Sequence, residues 1–400
     1  MVQLNSKNAT TMGKAIAIVC FLSNLTQLPF LVDLQLSSTL SIIIWICFTV
    51  YILLKNGTLK VIKEFLPYLI TMLIYLAFLG IGELFSDNKY LNTAIMYPFV
   101  LSMFIMCLGN NLGNRINEKD LFNMFFAYIL SALVVGLNIY FEYLIGADIN
   151  DRIYAYDSKN SISQILLTGI ILSLFYMVPN FTKLKRLLSF GVALFLGVTV
   201  ALLKSRATII SVPVIVLFAF IFGSEADKNF RKKIIFLVLA IVIYFLLNPQ
   251  IFQTLVDAII YGGRDSDSLD DISSGRWSEW VNFPKDLGEG WFFGNGRMKR
   301  ESLILTAILE YGIPMGLVII GVAFSPLKFA IKHLKSKNRV VVVLFYVALC
   351  YFINSVFEQL APFGPGVKCY FLWLLFGIML TQKDRLKTKS TEAFNDKNDK

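Results

Sequence analysis

Runs of mostly apolar residues recur from near the N-terminus to Leu380, each long enough to cross a hydrocarbon core as an α-helix. Such a span needs about 20 apolar residues at a rise of about 1.5 Å per residue. A chain that repeats it along its length has no room for a large water-soluble globule. Of 400 residues, 56% are hydrophobic and only 16% charged, with a mean hydropathy of +0.66. That leaves too little polar surface to solvate a globule of this size. The pattern reads as an all-α polytopic membrane protein and excludes soluble and single-span readings.

The apolar runs predict about twelve transmembrane helices, near 15–31, 38–54, 65–85, 93–110, 121–146, 161–179, 187–203, 206–223, 233–249, 302–324, 340–358 and 362–380. Four regions follow: 1–248 with the first nine helices, a large loop at 249–301, 302–381 with the last three helices, and a polar tail at 382–400 expected to be disordered. Basic groups such as Lys55/Lys60/Lys63, Arg231/Lys232/Lys233 and Lys328/Lys332/Lys335 fall in alternate connections. Positive residues collect on the cytoplasmic side, so both termini are expected there and the 249–301 loop on the opposite side. The net charge of +10 is then a matter of topology, not of nucleic-acid binding. The first apolar stretch, Ala15 to Phe30, is followed by no small-x-small cleavage site and reads as a retained helix. Cys20, Cys47, Cys107, Cys350 and Cys369 all lie in apolar segments without metal-ligand spacing, so neither disulfides nor zinc are expected.

Within the large loop, Trp277, Trp280, Trp291, Phe283, Phe292 and Phe293 supply enough aromatic surface for a small folded cap. Ile251, Phe252, Leu255 and Ile259 predict an amphipathic helix lying on the outer leaflet. The loop and the short turn near 204–206 also hold most of the outer cations: Lys204, Arg206, Arg264, Arg276, Lys285, Arg297, Lys299 and Arg300. Guanidinium offers a planar fork of donors that fits anionic oxygens, so such a cluster suits a lipid pyrophosphate. The plainer alternative is that these side chains snorkel to phospholipid headgroups.

Charges inside spans are costly, so their depth is informative. Glu83, Glu142, Glu310, Glu358 and Lys368 all fall toward the outer helix ends. Glu310 lies about eight residues into its helix, roughly 12 Å below the outer boundary, and must meet protein, water or a partner such as Lys368. Asp265, Asp267, Asp270 and Asp271 lack the glycine of a calcium loop and read as a solvated turn. His333, the only histidine, sits in a basic cytoplasmic connection and is assigned no catalytic role.

Several short motifs, in order along the chain, resemble the superfamily of O-antigen polymerases and O-antigen ligases, which are membrane glycosyltransferases. The run LLKSRATIISVPV at 202–214 is similar to the family's Ser-Arg helix opening, which puts Arg206 at the essential-arginine position. SGRWSEWVNFPKDLGEGWFFGNG at 274–296 resembles its Gly-Arg-x-x-x-Trp run followed by Gly-x-Gly, through Arg276 and Trp280. ESLILTAILEYGIPMG matches the Glu-x-Gly half of the next motif at Glu310 and Gly312, with Glu301 and Ser302 standing where His-Asn would be. DRIYAYDSKNSIS is similar to the family's Arg…Asn loop, through Arg152 and Asn160. The ligase branch relies on the missing histidine, so the polymerase branch is the better match.

The resemblance implies a fold of glycosyltransferase type C character, with one large, partly helical periplasmic loop. It also implies a reaction between two undecaprenyl-pyrophosphate-linked glycans in the membrane lipid, with a chain-length-regulating copolymerase as partner and no cofactor or metal. In that reading Arg206 and Arg276 stabilise the departing pyrophosphate. Glu301 is the candidate general base, a role that its cationic neighbours Arg297, Lys299 and Arg300 oppose. Lys204, Arg152, Asn160, Arg264, Trp280, Arg297, Arg300 and Glu310 would contact substrate. The competing readings are an O-antigen ligase, a major-facilitator transporter and a lipid-linked oligosaccharide flippase. A carrier needs polar residues through both leaflets, and the predicted inner halves carry no charge.

Overall fold

A computed structural model describes residues 10–56, 63–85, 93–145, 157–176, 182–203, 205, 208, 210–214, 228–256, 270, 273, 275–296, 298, 300–336, 338–364 and 369–383. A hydrocarbon core offers no water to backbone N–H and C=O groups, so a spanning chain closes its hydrogen bonds within helices. The apolar runs accordingly become α1 (Thr11–Leu25), α2 (Pro29–Asp33), α3 (Ser37–Asn56), α4 (Leu66–Phe85), α5 (Met96–Leu112), α6 (Glu118–Leu144), α7 (Asp157–Phe175), α8 (Lys183–Leu202) and α9 (Lys228–Leu247). There follow α10 (Pro249–Val256), α11 (Arg276–Leu287), α12 (Leu303–Ala323), α13 (Ser325–His333), α14 (Arg339–Phe357) and α15 (Tyr370–Thr381). Among the described residues, six helices (α3, α4, α6, α8, α12 and α14) are long and apolar enough to cross a membrane, and α1, α5, α15 and the segments Ile162–Phe175 of α7 and Val238–Leu247 of α9 are shorter apolar helices. The protein is an all-α, multi-pass membrane protein. Of the expected helix at 206–223, only Thr208 and 210–214 are described, and these are helical.

The expected first helix, 15–31, is corrected to an earlier and shorter one. Thr10 caps α1 by accepting the Gly13 N–H, and the helix stops at Leu25 because Pro29 biases Leu28 to an extended backbone, at φ −62° and ψ 138°. The chain restarts as the short α2. The expected last helix, 362–380, begins instead at Tyr370. The predicted amphipathic segment after 249 is helical over α10, and Ile259 lies outside the described residues.

The centre of the bundle is α14 and α15. In α14, 83% of the apolar span is buried within the protein, against 17% in α4 and 22% in α3 and α8, whose exposed leucines and isoleucines face the hydrocarbon. Close approach of α5 and α15 depends on small residues. A Cβ on Gly109 would strike the Leu374 carbonyl, and one on Gly377 would strike the carbonyl of Met106. With no hydrophobic drive between helices in lipid, such backbone contact is what packs them.

One end of the bundle is tied by short-range polar contacts. Buried Asp120, at the start of α6, accepts the Thr10 N–H at 2.8 Å, the Thr10 hydroxyl at 2.9 Å and the Asn117 N–H at 2.9 Å, fixing α1 beside α6. At the same end Thr381 donates to the Asn110 carbonyl at 2.7 Å and Gln382 to the Gly113 carbonyl at 2.9 Å. The other end carries α11 and the residues that follow it.

Candidate functional site

The site is built around a break in α12. Pro314 has no N–H to give the Glu310 carbonyl, and Gly312 leaves the helix at φ 75° and ψ 171°, so carbonyls of the preceding turn lose their helical donors. Backbone from the loop replaces them: the Asn295 N–H donates to the Leu309 carbonyl at 2.7 Å and the Gly296 N–H to the Glu310 carbonyl at 3.3 Å. The approach is so close that a Cβ on Gly294 would strike the Glu310 carbonyl and one on Gly312 the Phe292 carbonyl. This is the physical use of the Gly-x-Gly and Glu-x-Gly motifs. They dock the loop onto a broken helix.

Above that dock, α11 begins at Arg276. Its free N–H groups are met by Ser273, whose hydroxyl accepts the Trp277 N–H at 2.9 Å, and by Asp270, whose carboxylate accepts the Ser278 N–H at 2.8 Å. Asp270 thus acts as a helix cap. Trp277, Trp280, Trp291, Phe292 and Phe293 remain exposed, and α11 buries none of its residues. The described part of the loop, 275–296, is folded; backbone hydrogen bonds and the Phe293 ring, 5.6 Å from that of Phe78, anchor it.

Arg276 points back to the bundle. One terminal nitrogen of its guanidinium donates to Glu301 Oε2 at 3.0 Å and to the Phe357 carbonyl at 3.1 Å, at the C-terminus of α14, where the helix dipole favours a cation. The Arg276 side chain is 20% exposed and that of Glu301 57%. Its buried Nε makes no hydrogen bond among the described residues. The guanidinium is oriented but not saturated.

Glu279, one helical turn after Arg276, completes the group. Its Oε2 accepts the Glu301 N–H at 3.0 Å. Burial pushes its carboxyl above the ordinary range, and the charge of Glu301 adds to the rise. The Glu301 N–H bond and the nearby Arg300 and Arg276 oppose it. A half-buried carboxyl that holds its proton more tightly than a free one, beside an oriented arginine, is a competent acid–base group.

Of the residues expected from sequence, Arg276 and Glu301 meet directly, and Trp280 lies on α11 one turn from Arg276. Arg300 does not join them: it pairs with Asp286 at 2.6 Å and closes a turn through Thr306, whose hydroxyl donates to the Arg300 carbonyl at 2.9 Å. Among the described residues the cation meeting Glu301 is therefore Arg276, twenty-five positions away in sequence, rather than its neighbour Arg300. Fully buried Glu310 accepts the Ala94 N–H at 3.0 Å, just before α5, where the helix dipole favours an anion. Beside it Tyr75 donates to the Tyr311 hydroxyl at 3.0 Å, and Tyr311 is also hydrogen-bonded to Thr93. Glu310 thus belongs to a contact joining α4, α5 and α12. Glu83 is exposed, and His333 is buried with its ring 4.5 Å from Phe329.

Lys204, Arg206, Arg152, Arg264, Arg297, Lys299 and Lys368 lie outside the described residues. So do Asp265, Asp267 and Asp271, while Asn160 is described only as backbone in the first turn of α7. Glu279 and Asp286 were not singled out from sequence. The signal for Glu279 was there: three residues after Arg276 puts both on one helix face. Asp286 gave no such sign. Compared with protein-family models the chain matches none, and compared with curated proteins it matches none.

Proposed function

We propose that the protein is an O-antigen polymerase of the bacterial inner membrane. It joins undecaprenyl-pyrophosphate-linked repeat units by moving the growing chain onto each new unit at the periplasmic face. In this reading both termini are cytoplasmic, the chain crosses the membrane about twelve times in a glycosyltransferase type C-like arrangement, and α11 belongs to the periplasmic loop. The distribution of lysine and arginine supports that orientation, since Arg115, Lys119, Lys332, Lys335 and Lys383 gather toward the end opposite α11. The observation that carries the reading is the Arg276–Glu301–Glu279 group, which combines an oriented cation with spare N–H donors and a carboxyl of raised proton affinity.

The chemistry follows from those two capacities. An acceptor sugar hydroxyl attacks the anomeric carbon of the growing chain's reducing-end sugar. The new glycosidic C–O bond forms as the bond to pyrophosphate oxygen breaks, and the hydroxyl proton passes to a carboxylate. Pyrophosphate is a good leaving group, and Arg276, with Arg206 as the resemblance implies, carries the charge that develops on it. Glu279 is a better base than Glu301, because Glu301 is committed to Arg276 while Glu279 Oε1 makes no hydrogen bond among the described residues. Glu301 then holds Arg276 in place. Trp280 offers an exposed ring on the same helix for a sugar face.

The test is a gel of surface polysaccharide from a strain lacking the gene, complemented with wild type, Arg276→Ala or Glu279→Gln at matched membrane levels. Loss of long chains with core plus one repeat unit remaining, restored only by wild type, is the expected outcome. Undecaprenyl-linked polymer with a bare core would show a ligase instead. Single units trapped on the cytoplasmic face would show a flippase. Full-length polymer from both variants would remove the proposed site.

A further inference from the structure

Away from the α11 end, the bundle surface holds two adjoining cavities of about 450 and 400 Å³ that share Pro67, Tyr68, Phe329 and Lys332. Together they form a single groove with two chemically different parts. Its deeper part runs between α4 and α12, walled by Pro67, Tyr68, Val318 and Val322, with Gly321 leaving the floor open. Its mouth carries Lys63, Lys328, Lys332 and Lys383 against the one acid on the rim, Glu64. None of these four lysines makes an ion pair or hydrogen bond among the described residues. At the other end Arg276 is paired with Glu301 and Arg300 with Asp286.

The groove starts in the turn at Lys63 and follows the first turns of α4 from Pro67 to Thr71, about 6 Å of helix axis, so it enters the roughly 15 Å of one hydrocarbon leaflet from its surface. A ligand that fits must therefore be apolar where it enters the leaflet and anionic at the headgroup level. We propose that this groove is a binding site for one anionic diacyl phospholipid, with an acyl chain lying between α4 and α12 and its phosphate held by Lys63, Lys332 and Lys383. Charge complementarity selects the anionic headgroup. The apolar wall selects a lipid over a soluble phosphate. The site is independent of glycosyl transfer and lies at the opposite end of the bundle from Arg276.

The test is native mass spectrometry of the full chain in mild detergent, titrated with dioleoylphosphatidylglycerol, dioleoylphosphatidylcholine or inorganic phosphate. Wild type should retain one phosphatidylglycerol in preference to phosphatidylcholine. Each lysine near a headgroup contributes about a fivefold change in affinity, so K63A/K332A/K383A should weaken retention about a hundredfold. K183A/K185A, exposed at the start of α8 and outside the groove, should leave it unchanged. A Cβ at position 321 would meet nothing within 4 Å, so Gly321→Phe has room to turn its ring into the groove and should expel phosphatidylglycerol while every lysine remains. Equal loss in both lysine variants would reduce the effect to a general basic belt and overturn the site. So would phosphatidylglycerol retained by Gly321→Phe, or inorganic phosphate binding as tightly as the lipid.

Discussion

At the Asp120 end of the bundle a buried carboxylate receives three hydrogen bonds from residues close to helix starts, and glycines bring α5 and α15 into backbone contact. At the Arg276 end a helix is broken, a loop supplies its missing donors, and a guanidinium and a carboxyl retain unused hydrogen-bonding capacity. The first end spends these buried polar groups on joining helices. The second keeps some in reserve, at the cost of a break at Gly312 and Pro314. Polar groups whose bonds are all made stabilise a bundle, whereas oriented and unsaturated ones are what a reaction needs.

The largest effect expected is on activity at the second end. Arg276→Ala should lower polymerisation about a hundredfold to a thousandfold, which corresponds to roughly 3–4 kcal/mol of transition-state stabilisation. Its melting temperature in detergent should move little. Chain-length distribution on a gel and single-turnover transfer with purified protein would read the first part, and a thermal scan the second. A large loss of stability instead would erase the contrast between the two ends.

Gly377→Leu should do the reverse. The added side chain would meet the backbone of Met106 and Asn110, which cannot rotate away, so the α5–α15 contact must open. Overpacking of this kind costs about 3 kcal/mol. The expected result is a lower melting temperature and less protein in the membrane, with turnover per surviving molecule unchanged. Activity lost ahead of stability would show that the packed end also shapes the reaction.

A third effect is a displacement along the pH axis. A base works when deprotonated, so activity should fall as pH drops through the raised pKa of Glu279, at a higher pH than an ordinary glutamate would give. The negative charge of Glu301 contributes to that rise, so Glu301→Gln should move the acid limb to lower pH. Glu279→Gln should remove the limb. A pH–rate profile unchanged in Glu301→Gln would mean that Glu279 is not the titrating group.

Much of this contrast was legible in the sequence, for physical reasons that differ by residue. Apolar run length dictates helices, so most of the described apolar helices fell within a few residues of their predicted ends. The exceptions are α1, where Pro29 restricts Leu28 within an otherwise apolar run, and α15, which begins at Tyr370 rather than near 362. Arg276 and Glu301 were readable as an outer-side cation and anion, but their pairing was not, since it joins residues across the end of α14. Arg300 was assigned to the same group from its place in the chain. The turn closed by Thr306 sends its side chain to Asp286 instead, and nothing local in sequence signals that. Glu310 was readable as a costly buried charge, while its partner, the Ala94 N–H at the start of α5, depends on tertiary packing.

The smallest effect tests whether Arg300 belongs to the reserved groups or to the spent ones. Its pair with Asp286 is partly exposed, with side chains 26% and 19% accessible, so screening by water limits it to at most about 1 kcal/mol. Asp286→Asn should therefore shift the melting temperature only slightly while releasing the guanidinium. If Arg300 acts only through this pair, Asp286→Asn and Arg300→Gln should lower activity by the same small factor, and the double variant should do no more. If Arg300 binds the pyrophosphate, as its place in the loop first implied, Arg300→Gln should raise KM several-fold while Asp286→Asn leaves KM unchanged or lowers it. The structural role is the expected result, because Arg300 is held by Asp286 at 2.6 Å, whereas the guanidinium oriented at the α14 terminus is that of Arg276.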